Sequence, residues 1–163
     1  MFRVGIITAS DKGSRGERED KSGELIKEIM NSNGYEIVRW NILPDERQLI
    51  SKELINMSDN LGIDLIFTTG GTGFSQRDWT PEATLDVIDR QTPGISEAMR
   101  HYSLQITPKA MLSRSVSGIR GETLIINLPG SPKAVKENLE CILPALKHGL
   151  EILKGIAGEC ARK

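Results

Sequence analysis

Asp64-Leu65-Ile66-Phe67-Thr68-Thr69-Gly70-Gly71-Thr72-Gly73 joins an apolar run to a glycine-rich turn. The run has the length of a buried strand, and the glycines admit left-handed backbone angles where that strand ends. Consecutive N–H groups in such a turn form a concave nest suited to an anion. Ser75, Arg77, Asp78, Thr80 and Pro81 follow at once, so a hydroxyl, a guanidinium and a carboxylate accompany the backbone donors. The stretch predicts a phosphate-binding turn at the end of an interior strand. It is neither a Walker A loop, since no Gly-Lys-Ser/Thr follows, nor GxGxxG.

Outward from this strand, strand-like and helix-like segments alternate. Residues 2–9 are almost continuously apolar, and residues 22–33 set Leu25, Ile26 and Ile29 on one helical face before Gly34. Residues 36–43 alternate as a second strand. Pro44 and Asp45 lead into a helix over about 46–60, with Leu49, Ile50, Leu54 and Ile55 as expected core contacts. Thr80-Pro81-Glu82 has the form of a helix start, threonine as cap and proline in the first turn. A further helix is expected over 95–104. Residues 113–119 and 122–128 are expected to pair as an antiparallel hairpin around Arg120-Gly121. Pro129-Gly130-Ser131-Pro132 then opens the last helix, whose Val135, Leu139, Ile142, Leu143, Leu146, Leu150 and Leu153 recur at spacings of three and four, with a kink expected at Pro144.

This alternation predicts one α/β domain over 1–163, three-layer α/β/α, with a mostly parallel, doubly wound sheet. Ligands of such sheets lie beyond the carboxyl ends of the strands. Ser10-Asp11, Pro44-Asp45, Gly70-Gly71 and Pro129-Gly130 each follow a strand, so four polar loops are expected to meet at one edge.

Bulk chemistry narrows the function. Basic residues number 21 and acidic residues 22, a formal net charge of -1, which gives no general electrostatic reason to expect nucleic acid or an anionic membrane. Aromatic residues are 4% of the chain, too few for the stacking platforms of single-strand binders. Met1-Phe2-Arg3-Val4-Gly5-Ile6-Ile7 is broken by Ser10-Asp11-Lys12 and reads as a strand, not a signal peptide. Cys141 and Cys160 lack metal or disulfide-framework spacing, and a reducing cytoplasm is the expected location. His101 and His148 each stand alone and are expected to pack or face solvent, as Trp40 is to pack. Trp79 lies within the loop, where packing and contact with a flat ring both suit it.

Taken together, Thr8-Ala9-Ser10-Asp11, Asp20-Lys21-Ser22-Gly23, Leu43-Pro44-Asp45, Thr69-Gly70-Gly71-Thr72-Gly73, Arg77-Asp78, Thr80-Pro81-Glu82-Ala83-Thr84, Leu112-Ser113-Arg114-Ser115, Gly118-Ile119-Arg120-Gly121 and Asn127-Leu128-Pro129-Gly130-Ser131-Pro132 resemble the molybdopterin adenylyltransferase family of molybdenum-cofactor synthesis. The resemblance runs through nearly the whole chain. It implies a homotrimer that takes molybdopterin and ATP as substrates with Mg²⁺. AMP would be joined to the terminal phosphate of molybdopterin, pyrophosphate released, and the product handed to a separate molybdenum insertase. It also implies catalytic and Mg²⁺-facing roles for Asp45 and Asp78. Substrate and phosphate binding would fall to Gly70, Gly71, Thr72, Gly73, Ser75, Arg77, Ser113, Arg114, Ser115, Asn127, Pro129, Gly130 and Ser131. Ser10, Asp11, Asp20 and Ser22 would form the nucleotide side. Pro-Gly-Ser-Pro at 129–132 is a variant of the family's Pro-Gly-x-Pro loop.

Each residue also has a plainer reading. Asp45 fits a helix cap after Pro44, and Asp78 fits a turn fixed through its backbone. Gly70–Gly73 fits a tight strand-to-helix turn. Asp20 and Ser131 are ordinary caps, and Arg114 fits an outward residue on a hairpin strand. Residues 12–21 fit a solvated loop of mixed charge. Two other functions stay open beside adenylyl transfer: a non-catalytic molybdopterin carrier and a Mg²⁺-dependent nucleotide hydrolase.

Overall fold

The computed structural model describes residues 1–156, so Cys160 lies outside the described residues. Strands β1 (Arg3–Ala9), β2 (Glu36–Leu43), β3 (Leu65–Thr69), β4 (Arg90–Gln91), β5 (Ser117–Arg120) and β6 (Thr123–Leu128) form one sheet in the order β2-β1-β3-β6-β5-β4. The β2-β1-β3-β6 run is parallel, while β5 pairs antiparallel with both β6 and β4. The expected hairpin is present, with its first strand shorter than expected.

Period-two alternation sorts the interior into two cores. Val4, Ile6, Leu65, Phe67, Leu124, Ile126 and Leu128 meet α2 (Lys21–Ser32), α5 (Pro93–Leu104) and α6 (Pro132–Leu153) through Ile26, Met99, Val135 and Leu139. Ile7, Ile66 and Ile125 face α3 (Arg47–Ile55) and α4 (Thr80–Leu85) through Ile50, Leu54 and Ala83. Helices thus cover both faces of a three-layer α/β/α domain, each fully buried aliphatic or aromatic side chain contributing about 1.5–3 kcal/mol of transfer free energy.

Two local outcomes differ from expectation. The helix after Pro44 ends at Ile55 and continues as a π-type turn, Asn56–Asn60. Ile50, Leu54 and Met57 are fully buried, which rotates Leu49 and Ile55 out to 40% and 37% exposure, so these two are not core residues. A one-turn helix α1 (Asp11–Ser14), capped by Ser10, stands where a loop is expected. Pro144 lies within an unbroken helical span, Pro132–Leu153. Cys141 packs against the first core, its Sγ 3.7 Å from the Ala98 carbonyl oxygen.

Candidate active site

The chain runs from β1 outward to β2, then returns to the other side of β1 as β3. A crevice is therefore expected beyond the carboxyl ends of β1 and β3. Gly70 and Gly71 make it possible. They take φ of 89° and 66°, and a side chain on Gly70 would run into the Ala9 carbonyl oxygen. One on Gly71 would strike Thr80 Oγ1 and approach Asp45 Oδ1 to 3.2 Å. Only glycine meets both demands.

A cavity of about 760 Å³ opens there. Ser10 after β1, Asp45 after β2, Gly70, Gly71 and Asp78 after β3, and Gly130 and Ser131 after β6 all line it, with Asp20 and Ser22 at the start of α2. The four loops meet. A second cavity, about 280 Å³, is lined by Gly73, Pro129, Ser113 and Ser115 together with Met99 and Arg100. The segments 70–73 and 129–131 are thus shared, offering Gly70, Gly71, Gly130 and Ser131 to the larger space and Gly73 and Pro129 to the smaller.

Acidic side chains organise the larger cavity. Asp11 N–H donates to Asp45 Oδ2 (2.9 Å) and Asp45 N–H donates to Asp11 Oδ1 (3.0 Å). Arg77 donates through Nε and Nη2 to both Asp11 oxygens at 2.8 Å. Those bonds hold the Asp11 carboxyl below its ordinary range; burial opposes them, and the Asp45 N–H adds to them. Burial pushes the Asp45 carboxyl up; the Asp11 N–H opposes this, while the charges of Asp11 and Asp78 reinforce it. Asp78 Oδ2 accepts from Ser75 N–H at 3.0 Å, closing its own loop. No described residue donates to Asp45 Oδ1 or Asp78 Oδ1.

Other expected ligands are committed to the scaffold. Asp20 accepts from Thr8 Oγ1, from Trp40 Nε1 (3.0 Å) and, as the cap of α2, from Gly23 N–H (2.9 Å). Ser22 Oγ donates to Gly130 O and Thr69 Oγ1 to Pro129 O, each at 2.7 Å, which ties the last loop to α2 and β3. Ser10 caps α1, and Ser131 caps α6 by accepting from Ala134 N–H. Thr72 is buried, and its carbonyl accepts from Arg114 N–H.

Arg114 and Asn127 occupy unexpected surroundings. The Arg114 fork donates to Gly73 O (2.7 Å), Asp78 O (2.6 Å) and Glu82 Oε1, bracing the turn from behind. Asn127, expected at a ligand rim, is fully buried, donating to Thr68 and Thr84 hydroxyls and accepting from Val116 N–H. Residue type alone suggests a ligand for both, and neighbours from distant segments satisfy them instead. Ser113 and Ser115 hydroxyls lie 3.1 Å apart, with Arg100 donating to Ser115 O at 2.7 Å. Trp79 is 42% exposed with Arg47 over its ring. Arg18 and Lys21 line the larger cavity although the sequence alone assigns them no role; their place in the β1–α2 connection, Arg18 in the loop after α1 and Lys21 at the first residue of α2, is the available signal.

The family model described as "Probable molybdopterin binding domain", of molybdenum-cofactor biosynthesis, matches residues 5–148. The chain belongs to this molybdopterin-binding domain family. Among relatives of this domain, the molybdopterin adenylyltransferase of Helicobacter pylori (strain J99 / ATCC 700824) is 46% identical over 94% of this chain and 89% of its own. That of Escherichia coli K12 is 41% identical over 95% and 80%. Among solved structures of molybdopterin-binding domains, the molybdopterin biosynthesis enzyme MoaB of Thermus thermophilus has TM-score 0.90 and 51% identity, covering 95% of this chain and 98% of that one. The tungsten cofactor synthesizing MoaB of Pyrococcus furiosus has TM-score 0.83 and 38% identity, covering 94% and 98%.

Proposed function

We propose that this protein is a molybdopterin adenylyltransferase of molybdenum-cofactor biosynthesis, transferring AMP from ATP to the terminal phosphate of molybdopterin. The observation that carries the reading is the pair of cavities flanking segments 70–73 and 129–131. ATP occupies the larger cavity, with its α-phosphate toward the segments that both cavities share. The pterin occupies the smaller one, whose Met99 side and Ser113 and Ser115 hydroxyls suit a flat polar ring system. Its phosphate reaches the glycine turn from the opposite side to ATP.

The phosphate oxygen of the pterin attacks the α-phosphorus, and the bond to the β-phosphate oxygen breaks with its electron pair, releasing pyrophosphate. The chain contributes position and charge: Gly70 and Gly71 let phosphate approach the backbone, and the loops fix attacker and leaving group in line. Asp45 and Asp78 have the hard-oxygen chemistry for Mg²⁺, with water and phosphate oxygens completing the shell. Among the described residues no cluster of three or more metal-binding side chains exists. When bound, Mg²⁺ shields the triphosphate charge.

Tyr102, Leu104, Ile106, Met111 and Leu112 form an apolar stretch, each between 39% and 63% exposed, on the end of α5 and the turn after it. This supports an assembly that covers that face, and the family resemblance makes a homotrimer the proposed one, checked by light-scattering mass. The cytoplasm is the proposed location, and transfer of the product to a molybdenum insertase the proposed fate. Incubation with molybdopterin, ATP and Mg²⁺, followed by mass spectrometry, tests the reading. Adenylylated pterin with equimolar pyrophosphate is expected. Pterin binding without pyrophosphate release identifies a carrier instead, and nucleotide turnover without pterin a hydrolase.

A further inference from the structure

A triphosphate brings several negative charges into a cavity already lined by Glu19, Asp20, Asp45 and Asp78. Some cation must meet them. Arg77 is held by Asp11 through two bonds, Arg15 pairs with Glu17, and the Arg114 fork is filled by Gly73, Asp78 and Glu82. Arg100 serves Ser113 and Ser115 in the smaller cavity. Among the described residues, Arg18 and Lys21 are the two basic side chains lining the larger cavity, and neither has a hydrogen-bond or ion-pair partner there. Both are exposed.

The geometry points to Arg18 and Lys21 as the seat of the β- and γ-phosphates of ATP, the group that leaves as pyrophosphate. This rests on the adenylyltransferase reading and extends it to residues not yet given a role. The attacking phosphate enters from the smaller cavity, so the α-phosphate must lie at the shared segments 70–73 and 129–131. Arg18 and Lys21 belong to neither segment and line the larger cavity alone. The part of ATP that reaches them points away from the attacker. Cations select the phosphate tail over adenine, and an in-line displacement sends the leaving group to that side. When the Pα–O bond breaks, the departing oxygen gains charge, and a guanidinium and an ammonium already in place stabilise it without reorganisation.

Calorimetric binding of pyrophosphate and of AMP, each with Mg²⁺, tests the assignment in wild type, R18Q, K21Q and the double variant. Pyrophosphate affinity should fall roughly tenfold per lost cation, as for a hydrogen bond to a charged group, with AMP affinity changed by less than about twofold. R18K and K21R should recover most of the pyrophosphate binding, and melting temperatures should match wild type because both side chains are exposed. Unchanged pyrophosphate affinity, equal weakening of AMP, or no pyrophosphate binding by wild type overturns the assignment. These titrations need no turnover. Absence of adenylylated pterin with wild type is therefore a separate result, and it counts against the adenylyltransferase reading alone.

Discussion

Asp11 and Asp45 hold each other by exchange, the backbone N–H of each donating to the other's carboxylate at 2.9 and 3.0 Å. The exchange locks the loop after β1 to the loop after β2. It also uses one Asp45 oxygen and leaves Oδ1 toward Gly71 and the cavity. Arg77 grips Asp11 from outside, so the Asp11 charge is paired with a guanidinium and the Asp45 charge is not.

That asymmetry predicts a trade between stability and activity at Asp45. Its folded-state pKa is raised by burial, so between the ordinary carboxyl value and the raised one the folded state binds more protons than the unfolded state. Stability therefore falls as pH rises through this window, and the ionised form is a burden at neutral pH. Asp45→Asn removes the charge and keeps an oxygen to accept from Asp11 N–H. Its melting temperature at pH 7 should rise by about 1–4 °C, with turnover reduced roughly 100-fold or more. The stability gain should vanish at a pH below the window, where wild-type Asp45 is protonated; a gain that persists there rules out the electrostatic cause.

A second prediction concerns the acid limb of the activity profile. The proposed mechanism needs Asp45 ionised, so activity should begin to fall at a higher pH than for an ordinary aspartate. The Arg77 charge lowers the Asp45 carboxyl and, more strongly, that of Asp11. Arg77→Met should move the acid limb of kcat/KM to higher pH. A limb that stays in place, or moves lower, contradicts the assignment.

Arg114 is a brace for the loop that carries Asp78. Arg114→Lys retains charge but cannot span Gly73 O, Asp78 O and Glu82 together, so it should behave nearly as Arg114→Ala. Each should cost about 1–3 kcal/mol in denaturant unfolding, lower kcat, and increase proteolytic cutting within 73–79. Recovery of both kcat and protease resistance by lysine would show that charge alone matters.

The two glycines of the turn should be irreplaceable, unlike glycines elsewhere. Gly70→Ala and Gly71→Ala add a clash to a left-handed backbone, whereas Gly16, at φ 73°, has open space around it. Gly16→Ala should cost about 1–2 kcal/mol from backbone strain alone. Alanine at 70 or 71 should cost more than this and abolish nucleotide binding. Equal melting temperatures for all three variants contradict the close packing of Ala9, Gly70 and Thr80.

Leu65, Ile66 and Phe67 announce a strand buried on both faces, and alternation along it sets two cores with helices on either side. Loop positions then follow from connectivity, which is why Ser10, Asp45, Gly70 and Gly130 can be placed at one cavity from sequence. Side-chain commitments cannot. Whether Arg114 meets a ligand or a carbonyl, and whether Asn127 faces a rim or the interior, depends on partners 11 to 59 residues away. Leu49 and Ile55 look buried because they are apolar, but the stripe from Ile50 through Leu54 to Met57 fixes the helix rotation and excludes them. Arg18 and Lys21 read as solvated charges because mixed charge on a loop usually is; only the cavity beside them separates the two cases.

The most direct measurement follows isotope from ATP. With molybdopterin and Mg²⁺ present, phosphorus-32 at the α-position should appear in the pterin product, and label at the γ-position should leave entirely as pyrophosphate. Both transfers should fail together in Asp45→Asn and in Asp78→Ala. Label from the γ-position on the pterin, or α-label released only as free AMP, contradicts adenylyl transfer at this site.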